Sequence, residues 1–204
     1  MGKKYRYKNI PPLLHARRRV PDVELIKVPN VRQHTDYTCG VACVQSVMQY
    51  AGIEMRPDQL TEILKSTEDI GTDHNEMIEC LNSCNGISAE WKSSMTDGEL
   101  EEYINAGKPV ICLLQAWHDV KSEYGHYDYT DEWEDGHYAI AIGIDRENVY
   151  FMDPSTCGNY TFITREHLKM RWHDEDGGEL YRKAGIVVTV DKPAFDRDEI
   201  VSMN

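Results

Sequence analysis

The stretch CGVACVQSVMQYA, residues 39–51, constrains the fold more than any other part of this 204-residue chain. Its side chains are small or apolar on nearly every face of a helix, and Gly52 follows where helices favour a glycine. A helix that is apolar all round cannot lie on a surface, so it belongs at the centre of a domain. A chain of this length supplies the surrounding core without staples, because folding buries on the order of 70% of its unfolded surface.

The rest of the pattern says what surrounds that helix. Residues 1–21 carry Pro11-Pro12 and an arginine triplet without helical or strand period, and read as an extended basic arm. Residues 23–28 alternate and stop at Pro29, which suits a short strand. Pro57 at a first-turn position predicts a helix over 57–64, and residues 74–82 predict another. Residues 87–91 read as a strand. Thr96-Asp97-Gly98-Glu99 is a capping box that opens a helix to Ala106, closed by Gly107 and Pro109. Residues 110–114 are a continuous apolar run, which suits an interior strand. The second half is β-rich: 138–144 and 149–152 form a hairpin around residues 145–148, 160–163 add a strand, 164–172 a short helix and 185–190 a closing strand. Helices first and an antiparallel sheet after is the α+β pattern. The expectation is one domain over 22–190, with a tail at 191–204.

Charge narrows the partners. The chain has 22 Lys plus Arg against 35 Asp plus Glu, a formal net charge of −13. Seven of the bases and none of the acids fall in residues 1–19, which leaves 35 acids against 15 bases in the body. Such a body repels nucleic acid and anionic lipid, so neither is expected as a partner. No apolar run approaches the ~18 residues of a membrane span, and no secretory signal opens the chain. A cytoplasmic protein without a membrane span is the expectation. In that setting Cys39, Cys43, Cys80, Cys84, Cys112 and Cys157 read as thiols rather than as three bridges.

One of those thiols stands apart. Cys39 follows a polar loop and is also the first residue of the central helix, where the helix dipole favours thiolate over thiol. It is a candidate nucleophile, although a core cysteine that happens to start a helix fits the same position. A thiolate that attacks a carbonyl needs an imidazole partner, and the imidazole needs an orienting group on its other nitrogen. His137 begins one strand of the hairpin and Asp153 ends the other, so the hairpin returns both to the same edge. Gln33, six residues before Cys39, offers an uncharged donor for the oxyanion of a tetrahedral intermediate.

The string Gln33-x5-Cys39-Gly40-x-Ala42-Cys43, followed by Gly136-His137-Tyr138 and then Asp153-Pro154, resembles the bacteriocin-processing, double-glycine peptidase family. The resemblance covers about residues 28–190. It implies a papain-like cysteine peptidase fold, a helical half packed on an antiparallel sheet. It also implies Cys39 as nucleophile, His137 as general base, Asp153 as the residue orienting the imidazole, and Gln33 as oxyanion donor, with no cofactor. Exporter-borne members continue into transmembrane helices, so the likeness here is to stand-alone members. The exporter-type motif commonly has Asp before the nucleophile, where this chain has Thr38 and places Asp36 two positions earlier. Peptide hydrolysis is the expected activity; acyl or peptidyl transfer on the same residues, and an idle peptide-binding module, are the alternatives.

Residues 116–136 lead into His137 and hold seven acids against one lysine, with Trp117, Tyr124, Tyr127, Tyr129 and Trp133 among them. A loop this long without periodicity is unusual. It reads either as a lid that favours a basic peptide or as a solvated surface loop. His74, Cys80 and Cys84 lack the spacing of a metal site, so no metal is expected. His118, His126, His167 and His173 are expected at the surface. Gly177-Gly178 reads as a turn between a helix and the final strand.

Overall fold

Helix α1 (Cys39–Tyr50) is central, as its composition demands: every residue except Gln49 is buried. It ends at Ala51, and Gly52 takes the left-handed conformation at φ +78° that a side chain resists. The computed structural model describes residues 19–116, 129–156, 158–176, 178–200 and 202. The arm up to residue 18, residues 117–128 of the acidic insert (with His118 and His126), Cys157 and Gly177 lie outside them.

Helices α2 (Pro57–Ile63) and α3 (His74–Asn82) pack against α1, and β1 (Ile87–Lys92) follows. The Thr96–Glu99 capping box then opens α4 (Asp97–Asn105), with the Thr96 hydroxyl accepting from Glu99 N and the Glu99 carboxylate accepting from Thr96 N. Strands β2 (Val110–Gln115), β3 (Gly136–Ile144), β4 (Asn148–Met152) and β5 (Thr161–Thr164) lead to α5 (Arg165–Arg171). A short hairpin, β6 (His173–Asp176) and β7 (Glu179–Arg182), precedes β8 (Gly185–Val190).

One antiparallel sheet of six strands runs in the order β1-β8-β2-β3-β4-β5. Alternate side chains of its middle strands feed two separate cores. Ile111, Leu113, Tyr138, Ile140, Ile142 and Met152 face α1, α2 and α3. Val110, Cys112, Leu114, Ala139, Ala141 and Phe151 face α4 and α5. The helical half packs on the antiparallel sheet as expected, and helices cover both faces of it. That is why β2 and β4 read as unbroken apolar runs, since a strand buried on both sides has no polar face to alternate with.

Three local expectations need correction. Residues 23–28 form no strand; Ile26 N donates to Ile142 O at 2.8 Å, and Leu25 packs so closely over Gly143 that a Cβ there would collide with it. The segment is held by packing at the β3 bulge between Ala141 and Gly143, without a ladder of its own. Gly178 lies between β6 and β7, not between a helix and the last strand. His173 is 2% exposed, with its Nε2 2.7 Å from Glu132 O, so it is a core histidine. No helix among the described residues is long and apolar enough to cross a membrane.

Candidate active site

The first residue of α1 and the open end of the β3–β4 hairpin meet in a cleft of about 550 Å³ lined by Cys39, His137, Tyr138, Trp133 and Glu134, among others. Of the four expected residues Cys39 and His137 line it, and Asp153 stands against the His137 ring. The pairing Ile140↔Met152, continued one step past β4, sets Asp153 opposite Ala139, two positions from His137. The side chains bridge that diagonal, with His137 Nε2 2.9 Å from Asp153 Oδ1. On the other side of the imidazole stands Cys39, close enough that thiol and ring each shift the other's pKa. Cys39 is 8% exposed and His137 2%.

Electrostatics follows from this geometry. Burial is the largest influence on the Cys39 thiol and raises its pKa, but His137, with the Tyr138 and Gly40 backbone, brings it below the ordinary thiol value. Burial likewise lowers His137, yet Asp153 and Cys39 overcome it and raise the imidazole to about 9. For Asp153 burial pushes upward, and His137 and Ser155 outweigh it, holding the carboxyl down to about 2. All three shifts favour a thiolate, an imidazolium and a carboxylate side by side. The neighbouring thiols behave in the opposite way: burial drives Cys43 and Cys112 far above the ordinary value.

Asp153 is fixed by its own turn. Its Oδ1 also accepts from Ser155 N at 2.9 Å and Ser155 Oγ at 2.7 Å, and its Oδ2 accepts from Thr156 Oγ1 at 3.0 Å. Both hydroxyls were missed in the sequence, where Ser and Thr after Asp-Pro look like ordinary turn chemistry.

Gln33 stands apart from this group, lining an adjoining hollow with Ser155 and Asp36. Asp36 lines the main cleft as well. Gln33 N donates to Pro154 O at 3.0 Å, which ties it to the Asp153 turn, and Gln33 Nε2 donates to Thr35 O at 2.8 Å. Its buried Oε1 meets no partner among the described residues. The loop before Cys39 is organised by Thr38, whose hydroxyl accepts from His34 N at 3.1 Å and Thr35 N at 3.0 Å. Gly40 is required by the same corner, because a Cβ would come within 2.7 Å of Thr72 Cβ.

Asp73, His74 and Asp176 bring three potential metal-ligand atoms within 4.8 Å of one another. Each already has a protein partner: Asp176 Oδ2 lies 2.6 Å from His74 Nδ1, and Asp73 Oδ1 caps α3 through Asn75 N. Cys80 and Cys84 do not join them; Cys84 Sγ donates to Cys80 O at 3.5 Å.

A central helix that starts with a cysteine, packed on an antiparallel sheet that brings up a His–Asp pair, is the papain-like architecture of cysteine peptidases. Residues 25–177 match the model of the Peptidase_C39 like family, and the chain belongs to that family. It is a cysteine peptidase by family and fold, as the sequence motifs implied. Solved structures agree on the fold. A C39-like peptidase from Bacillus anthracis superposes with a TM-score of 0.60 at 19% identity, over 84% of this chain and 100% of that one. The double-glycine-motif protease of an AMS/PCAT transporter, solved with its leader peptide, gives 0.56 at 14% identity, over 81% and 94%. The peptidase domain of Streptococcus ComA gives 0.55 at 18%, over 78% and 96%. A search of the curated proteins returned no match.

Proposed function

We propose that this protein hydrolyses peptide bonds with Cys39 as nucleophile, His137 as general acid and base, Asp153 as the residue orienting the imidazole, and Gln33 as oxyanion donor. The observation that carries the proposal is the placement of His137 between a helix-start cysteine and a half-buried carboxylate, at 2.9 Å from the latter.

The Cys39 thiolate attacks the peptide carbonyl carbon. The developing oxyanion is met by the Cys39 N–H, one of the first-turn amides that no helical carbonyl can reach, and by Gln33. The Gln33 amide carries two hydrogens, and Thr35 O takes one, so the second is available to the oxyanion. His137 donates its proton to the leaving amine, the C–N bond breaks, and a thioester remains on Cys39. Water gives a proton to His137, attacks the thioester and releases the carboxylate, with the thiolate restored. Asp153 keeps Nε2 engaged, so that Nδ1 is the nitrogen that exchanges the proton with Cys39.

A peptide or protein is the substrate class, in keeping with the relative crystallised with its leader peptide. The test is a peptide library digested by wild type and by Cys39→Ala, read by mass spectrometry, with and without an added amine acceptor. Cleavage by wild type alone is expected, with water as acceptor. Cleavage that persists in Cys39→Ala contradicts the mechanism, and products joined to the amine would make the enzyme a transferase.

A further inference from the structure

We propose that the cleft selects substrates carrying a cationic side chain beside the scissile bond, and that Asp174 is the residue that receives it. This rests on the reading of Cys39 as nucleophile and goes further by naming the substrate's charge and the site that reads it.

Among the described residues, most of the acids that line the cleft lie outside the insert. Among the described residues, eight that line it are Asp or Glu and none is Lys or Arg. Glu68, Asp69 and Asp73 come from the connection between α2 and α3, and Asp174, Glu175 and Asp176 from β6. A wall of one sign beside a reactive centre attracts the opposite charge along the whole approach.

Asp174 differs from the other acids of that wall because it is only 5% exposed. Gln115 Nε2 donates to its Oδ1 at 2.7 Å, and the neighbouring Glu175 N–H adds support. Among the described residues no Lys, Arg or His forms an ion pair with it. Burial, with the charges of Asp176 and Glu175, raises this carboxyl to about 7, as expected of a buried acid that lacks a counter-charge. Asp176 is already engaged, since its Oδ2 accepts from Tyr138 Oη at 2.8 Å and lies against His74.

Position gives Asp174 its role. A Cβ on Gly136 would collide with Asp174 Oδ2, so this oxygen lies against the backbone one residue before His137. The glycine leaves no side chain between that carboxylate and the cleft, which both residues line. A substrate extended past Cys39 and His137 can therefore bring an ammonium or guanidinium to Asp174; the Trp133 ring in the same cleft is already covered by the Arg182 guanidinium at 5.1 Å and by His173, so the cation is received by the carboxylate. An incoming cation supplies the counter-charge that the fold omits.

The test uses thiol reagents of matched shape and opposite charge, the trimethylammonium-ethyl and sulfonato-ethyl methanethiosulfonates, each of which transfers its thioalkyl group to Cys39 and releases methanesulfinate. In the full-length protein, the cationic-to-anionic rate ratio at Cys39 should exceed that of free cysteine by about tenfold or more. Asp174→Asn, checked for folding by circular dichroism, should cut the ratio by about threefold or more, and Glu68→Gln by less. A wild-type ratio no higher than that of free cysteine, or a ratio unmoved by Asp174→Asn, overturns the inference while leaving Cys39 a reactive thiol. A Cys39 inert to both reagents overturns the mechanism beneath it and this inference together.

Discussion

Among the described residues two histidine–carboxylate ion pairs stand out, and they differ in how well they fit catalysis. His137 and Asp153 are 2.9 Å apart; His74 and Asp176 are 2.6 Å apart and well buried. The pairs are even linked, because Tyr138, next to His137 in the chain, donates its hydroxyl to Asp176. What separates them is the far side of each imidazole. His137 meets the thiol that opens a helix, whereas the His74 ring stacks on Trp91 at 4.1 Å and meets the edge of Tyr181 at 5.5 Å. A buried His–Asp pair is thus a structural device by default, and it becomes chemistry when a nucleophile occupies its other nitrogen.

That contrast can be broken by substitution. His137→Ala should lower kcat/KM by about 10⁴-fold or more in a protein that still folds, measured on any peptide the wild type cleaves. Asp153→Asn should cost about 10²–10⁴-fold in kcat, because the carboxylate that holds the imidazole and its charge is lost while Ser155 and Thr156 still support the turn. Gln33→Ala should lower kcat by about 10²–10³-fold with little change in KM, as expected for a group that acts on the transition state. His74→Phe should reverse the pattern: thermal or denaturant unfolding should register a loss of about 1–3 kcal/mol, from leaving Asp176 short of a partner, while the folded protein keeps kcat/KM within about threefold of wild type. If His74→Phe proves as damaging to turnover as His137→Ala, the distinction between the two pairs collapses.

The same contrast explains what could be read from the sequence. The His137–Asp153 pair was legible because both residues flank one hairpin, where a local turn fixes their separation. The His74–Asp176 pair was not, since its members are 102 positions apart and only the folded sheet brings them together. The central helix, the Thr96 capping box and β2 were legible because each rests on periodicity or on a cap within a few residues. The β6–β7 hairpin was missed for the converse reason. Its sequence, His173-Asp174-Glu175-Asp176 and Glu179-Leu180-Tyr181-Arg182, has few of the β-branched and aromatic residues that mark strands, and Leu180 is 66% exposed. That omission also hid the acidic wall, because three of its carboxylates lie on β6. Residues 23–28 mislead in the opposite direction: their alternation reflects Leu25 and Ile26 seated on the sheet, not membership of it.

The central claim is that His137 makes Cys39 a thiolate against the pull of burial. Its most direct test is the rate of Cys39 alkylation by iodoacetamide as a function of pH, followed peptide by peptide, with half-buried Cys84 as internal comparator. A thiol with a lowered pKa stays ionised until the pH falls below that value, so the rate should rise with a midpoint below the value of about 8.5 for a free thiol. In His137→Ala, burial acts unopposed and the midpoint should move above it. A wild-type midpoint at or above about 8.5, unmoved by His137→Ala, would contradict the account.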